Sequence, residues 1–137
     1  MTVVVLDASA ALAWLLPSPA TATAHRLLEQ ADEYNFIAPD VFRREVANVL
    51  VARARGQSLV IGEAFDQLDG IEIALDHPLT DGEVRQLADV AITAGLSLFD
   101  AAYLALALER SGVMGSRDKL LLSAATVVGV DVFDLRD

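Results

Sequence analysis

A chain of 137 residues with 54% hydrophobic side chains can fill one core and one domain, and is too short for two. A formal net charge of −10 excludes attachment to nucleic acid by general electrostatics, so any phosphate contact must come from local Arg and Lys or through bound cations. The absence of cysteine excludes disulfides and thiolate zinc sites. No apolar run has the length of a membrane span, and the amino terminus lacks the basic flank and small-residue cleavage site of a signal peptide. A soluble, cytoplasmic protein without membrane contact is therefore expected.

The first element is a strand, Thr2 to Leu6, whose unbroken apolar run predicts burial on both faces. It stops at Asp7, at the strand's carboxyl end, which in an open parallel sheet faces the ligand crevice. The Ala/Leu-rich run from Ala8 to Leu16 predicts a short helix closed by Pro17 and Pro19. A second helix is expected from Ala20 to Ala31, with Leu27, Leu28 and Ala31 facing inward. Phe36 to Ala38 is a short strand before Pro39. Asp40 is placed to cap a strongly amphipathic helix, Val41 to Arg55, with Val46, Val49 and Leu50 as its stripe and Gly56 as its stop.

Ser58 to Leu68 reads as another helix and Ile71 to Leu75 as an edge strand. Thr80 and Glu83 have capping-box spacing and open a helix that Gly95 ends. Ser97 and Asp100 repeat the pattern, opening a helix to about Arg110. Its body, AAYLALAL, is apolar all round, which places it centrally in the fold. Val113-Met114 is a short strand, weakened by Gly115. Asp118 can cap a helix from Lys119 to Val128, and Val130 to Phe133 is the last strand. Alternating strands and helices make the fold α/β, a single domain over residues 1–137 with a mainly parallel, helix-flanked sheet.

Four acids stand out: Asp7, Glu45, Asp100 and Asp118. Each has an ordinary structural reading. Asp7 and Asp118 lie between a strand and a helix, where Asp is a good cap. Asp100 could serve only the capping box of Ser97, and Glu45 only the dipole of its helix. The case for chemistry rests on their conjunction. A βαβ layout carries strand ends and helix starts to one rim of the sheet. Four carboxylates gathered there would repel and take up protons unless a divalent cation neutralised them. Mg²⁺ and Mn²⁺ suit such hard oxygen donors.

Asp7 in LDASA, Glu45 in REVANVL, Asp100 in SLFDAAYLALA and Asp118 in SRDKLL resemble, in order, the four acidic motifs of the PIN-domain ribonucleases, most of all the VapC toxins of bacterial toxin–antitoxin pairs. The resemblance implies a five-stranded sheet between helix layers. It implies metal-dependent endonucleolytic cleavage of RNA, leaving a 5′-phosphate and a 3′-hydroxyl. The cofactor would be Mg²⁺, with Mn²⁺ able to substitute. The implied partners are an RNA substrate, a cognate antitoxin and a second copy of the chain. The four acids would bind metal and activate water, with Asp7, Glu45 and Asp100 the surest ligands. Ser9 and Ser116 match hydroxyl positions that orient carboxylates or waters, although both also suit ordinary helix starts.

Arg44, Arg117 and Lys119 are the candidates for RNA contact; Lys119 could equally form a structural ion pair. Arg43, Arg53 and Arg55 share the helix of Glu45, and Arg53 and Arg55 suit a solvated face. Trp14, Leu15, Leu16 and Phe42 form an apolar group that is either core or, by the resemblance, part of the homodimer and antitoxin contacts. His25 and His77 have no partner at metal-ligand spacing and are read as surface residues. Two other functions compete. One is a non-catalytic interaction module on the same fold. The other is a phosphoryl-transfer α/β domain with Asp7 phosphorylated, against which Ser9 stands where a haloacid-type phosphatase needs a second Asp.

Overall fold

A computed structural model describes residues 1–16, 22–56 and 59–136. Its centre is a five-stranded, wholly parallel sheet. The strands are β1 (Thr2–Leu6), β2 (Tyr34–Ala38), β3 (Ala74–Leu75), β4 (Val113–Ser116) and β5 (Val132–Asp134), in the order β3-β2-β1-β4-β5. The helices are α1 (Ala8–Leu15), α2 (Ala22–Glu29), α3 (Phe42–Arg55), α4 (Ile61–Asp69), α5 (Asp81–Ala94), α6 (Leu98–Arg110) and α7 (Lys119–Val127).

β1 is the middle strand because it can be buried on both faces, and Val4, Val5 and Leu6 are fully enclosed. The chain runs outward from β1 to β2 and β3, then returns to β4 on the other side of β1. That reversal makes the carboxyl ends of β1 and β4 the switch point of the sheet, the place where open parallel sheets bind ligands. Helices α1 to α4 pack among themselves, and α5 to α7 do the same. α1 and α6 lie against both central strands. The all-round apolar body of α6 buries Ala101, Tyr103, Leu104, Leu106 and Ala107, although Leu108 remains exposed. No single helix among the described residues is long and apolar enough to cross a membrane.

Several local expectations change. Asp40 does not cap α3. The Pro39 carbonyl accepts the Phe42 amide, and Val41 already has helical backbone angles. This tight turn leaves Asp40 too early to reach the helix start, and it pairs with Arg44 at 3.3 Å. The edge strand shrinks to Ala74–Leu75, both exposed. The last strand begins at Val132. β4 is longer than expected, because Gly115 strengthens its packing instead of breaking it. A Cβ at Gly115 would stand 3.3 Å from a Leu6 methyl and 3.4 Å from a Val4 methyl. The missing side chain thus lets β4 lie close against the enclosed residues of β1.

The capping box of Thr80 and Glu83 forms with both reciprocal bonds, and Gly95 ends α5 at φ 68°. The apolar group of α1 is largely core. Leu15 and Phe42 are buried, and half-buried Trp14 donates its indole N–H to the Ala24 carbonyl at 2.7 Å. Leu27 is buried and Leu28 half-buried on the inner face of α2, but the helix stops at Glu29, and Ala31, half-buried, opens a separate 3-10 turn over Ala31–Glu33. Pro17, Pro19, Ala20 and Ser58 lie outside the described residues.

Candidate functional site

Asp7 follows β1 directly and is only 4% exposed. Both of its oxygens are engaged. Oδ1 accepts the Ser9 hydroxyl at 2.7 Å and the Ala10 amide at 3.0 Å, so Asp7 also caps α1. Oδ2 accepts the Ser116 hydroxyl at 2.6 Å. Each serine is fixed from behind by a backbone amide of the turn between β4 and α7. Arg117 N–H donates to Ser9 at 2.9 Å, and Asp118 N–H to Ser116 at 2.9 Å. Both hydroxyl protons are thereby directed at Asp7. The two serines tie the turn that carries Asp118 to the end of β1.

The other acids sit at helix starts on the same edge of the sheet. Glu45 is in the first turn of α3, half-buried, and its Oε1 accepts the Tyr103 hydroxyl at 2.6 Å. Asp100 is the third residue of α6, where its amide donates to the Ser97 hydroxyl at 3.1 Å. Asp118 caps α7, one oxygen accepting the amides of Leu120 at 2.9 Å and Leu121 at 3.3 Å.

Their ionisation reflects this grouping. Burial pushes the Asp7 carboxyl up to about 6. Hydrogen bonds from Ser116, Ser9 and Ala10 pull it back, while the charge of Asp100 adds to the rise. Glu45 is raised by burial, eased by the Tyr103 hydroxyl, and raised again by Asp100. Asp100 is raised by burial and then by the charge of Asp118. Asp100 is thus the common charged neighbour of Asp7 and Glu45, and Asp118 acts on Asp100 in turn. A cavity of about 730 Å³ bordered by Met1, Tyr34 and Arg110 contains none of them.

The structural duty of Asp118 can be separated from its charge. Asparagine caps helices as well as aspartate does, whereas alanine costs about 1 kcal/mol. In thermal melts, Asp118→Asn should stay within roughly 0.5 kcal/mol of the wild type, with Asp118→Ala clearly lower. A large loss in Asp118→Asn would mean that the charge itself supports the fold.

The sequence matches the PIN domain family over residues 4–127. The chain belongs to that family. Solved structures with the fold include PAE2754 from Pyrobaculum aerophilum, at a TM-score of 0.70 and 20% identity, covering 96% of this chain and 84% of that one. FitAcB from Neisseria gonorrhoeae has a TM-score of 0.58 at 19% identity, over 97% of this PIN domain and 98% of its own chain. FitAB bound to an IR36 DNA fragment has a TM-score of 0.63 at 17% identity, over 98% and 96%. At such identities the likeness is one of fold. No curated protein matches the chain.

Among the described residues of this PIN domain, no three acidic or histidine side chains form a ready-made group that would hold a metal ion directly. The donor chemistry still fits Mg²⁺. It is all oxygen, Asp7 Oδ2 keeps one acceptor position, and Mg²⁺ keeps several waters through which carboxylates act. The same geometry is poor for a phosphorylated Asp7, which is enclosed and held by three donors.

The basic candidates separate. Arg44 is turned to Asp40, and Arg43 pairs with Asp69. Lys119 is exposed at the start of α7. Arg117 differs from these, because its Nε is buried with no hydrogen-bond partner. His25 is exposed; His77, also exposed, lies between Asp76 and Glu83. Tyr103 is the residue that sequence reading did not single out. The available signal was its hydroxyl in an otherwise apolar helix, three residues beyond Asp100 and so on the same face.

Proposed function

We propose that this PIN domain is a divalent-metal-dependent endoribonuclease and the toxin of a toxin–antitoxin pair. One observation carries the reading. Asp7, Glu45, Asp100 and Asp118 stand at a strand end and at helix starts of four separate elements on one edge of the sheet, with Asp100 adding to the charge around both Asp7 and Glu45. Such a group is costly to keep ionised without a cation. PIN domains are generally nucleases, which makes phosphodiester hydrolysis the matching chemistry.

A bound Mg²⁺ or Mn²⁺ would supply an acidified water and offset charge on the scissile phosphate. The chain's own groups supply the geometry. Ser9 and Ser116 hold Asp7 in place and leave Oδ2 one acceptor position. Glu45 and Asp100 bring further carboxylate oxygens from the two flanking helices. Asp118, fixed by its capping bonds, adds negative charge beside Asp100. Arg117, half-buried beside Asp118, is the first candidate for contact with a phosphate, and Lys119 and Arg44 are secondary candidates. RNA is the proposed substrate. Sequence choice in RNA rests on shape and exposed bases, so an acidic protein can use few phosphate contacts.

A cognate antitoxin and a homodimer belong to the same proposal. FitAB, which shares the fold, is bound to a DNA fragment in its solved structure. At net charge −10, this chain is better suited to a basic protein partner than to direct DNA attachment. Apolar side chains available for covering by partners lie on α5 and α7, where Ile92 and Val127 are 81% and 85% exposed.

The test uses free protein and structured RNA, with Mg²⁺, with Mn²⁺ and with a chelator. Cleavage should require the cation. Asp100→Asn should lower it at least about a hundredfold, since charge at the common neighbour is lost. Equal cleavage by the wild type and Asp100→Asn would remove the proposed role. An absence of divalent binding in calorimetry would favour a non-catalytic module instead.

A further inference from the structure

Tyr103 has a hydroxyl that core packing alone does not require. The residue is 1% exposed in the middle of α6, so its O–H cannot turn to water, and a buried phenol needs a partner. The partner is Glu45 Oε1, at 2.6 Å and 58 residues away in sequence. Among the described residues no other hydrogen bond engages the Glu45 carboxylate, and Oε2 is left open. Asp100 and Tyr103 are three residues apart on α6, so one helix face presents a carboxylate and a phenol side by side.

We propose that Tyr103 is a positioning residue. Its hydroxyl grips one oxygen of Glu45, and so turns the other toward the acidic group around Asp100. Glutamate has a long, flexible side chain, and at the start of α3 nothing else on that helix fixes it. Tyr103 does so from a different helix, which sets α3 and α6 in register. This inference rests on the metal-dependent reading above.

The test is a double-mutant cycle on Mn²⁺ binding, read from the free-ion electron paramagnetic resonance signal. Tyr103→Phe keeps the ring and removes only the hydroxyl. Loss of an outer-shell partner of this kind lowers metal affinity by about tenfold or more. Tyr103→Phe should therefore bind Mn²⁺ about tenfold more weakly, and cleave RNA with lower kcat at unchanged KM. In a Glu45→Ala background the same substitution should have no further effect, because the group it positions is gone.

Equal Mn²⁺ affinity in Tyr103→Phe and wild type overturns the inference. So does a tenfold loss that persists in the Glu45→Ala background. If Tyr103→Phe fails to fold, Glu45→Asp asks the question from the other side. Its carboxylate is one methylene short of the hydroxyl, so it should show a comparable loss, and full affinity there overturns the inference. A wild-type chain that binds no Mn²⁺ at all is a different failure, that of the nuclease reading itself.

Discussion

Asp7→Asn should abolish RNA cleavage and, at the same time, raise the melting temperature above pH 6. Burial holds the Asp7 carboxyl up to about 6, against an ordinary value of 3.8. The folded chain therefore binds this proton more tightly than the unfolded chain. Stability falls as pH climbs from about 4 to about 6, and stays lowered above that. Two pH units at about 1.4 kcal/mol each put the cost of ionised Asp7 near 3 kcal/mol. Asparagine removes that cost but replaces an acceptor with a donor opposite the Ser116 hydroxyl, whose proton already points there. A net gain of about 1–2 kcal/mol remains, a rise of several degrees for a domain of this size.

The pH dependence is the decisive part. The advantage of Asp7→Asn should be full at pH 7.5 and vanish below about pH 4, where the wild-type carboxyl is protonated too. Saturating Mg²⁺ should narrow or reverse the order, since only the wild type gains from binding the cation. Melts at both pH values, with and without Mg²⁺, check this. A variant that is no more stable than wild type at pH 7.5 would show that ionised Asp7 is not a burden on the fold. Stability given up at a functional group is the usual trade in such sites.

Ser116→Ala has the second large expected effect, in the opposite direction. Ser116 is fully enclosed, and its hydroxyl joins two groups, donating to the buried Asp7 Oδ2 and accepting the amide of half-buried Asp118. Alanine leaves both without a partner. Each unsatisfied group costs about 1–3 kcal/mol, so a loss of roughly 3 kcal/mol and about 10 °C is expected. The Asp7 carboxyl should rise further, because its strongest lowering hydrogen bond is lost. Cleavage should fall by about 10–100-fold, with the acid limb of its pH profile moved upward. Ser9→Ala should cost less, because Ser9 is only half-buried and water can replace its hydroxyl. Urea unfolding of the two variants side by side makes the comparison. Equal effects would mean that burial does not set the ranking.

How much of this was legible in the chain varies by residue. The Thr2–Leu6 strand, the Thr80–Glu83 capping box, the αL glycine at Gly95 and the cap of Asp118 were readable because each depends on a few neighbouring residues. The apolar body of α6 was readable from periodicity alone. Asp40 was misread as a cap because the turn at Pro39 started the helix one residue later than its pattern implied. Gly115 was misread as a weakness because the reason for it lies in Val4 and Leu6, more than 100 positions earlier.

The sequence by itself determined that the chain is one α/β domain, and that four acids sit at strand ends and helix starts. Both follow from local pattern and from the rule that parallel strands need helical crossovers. Only the tertiary structure decided which groups restrain those acids. That Ser116 grips Asp7, that Tyr103 grips Glu45, and that Arg117 Nε is left without a partner depend on side chains meeting across 58 to 109 positions or failing to meet at all. No local propensity encodes such meetings. They are set when the central strand is enclosed and the helices close over it.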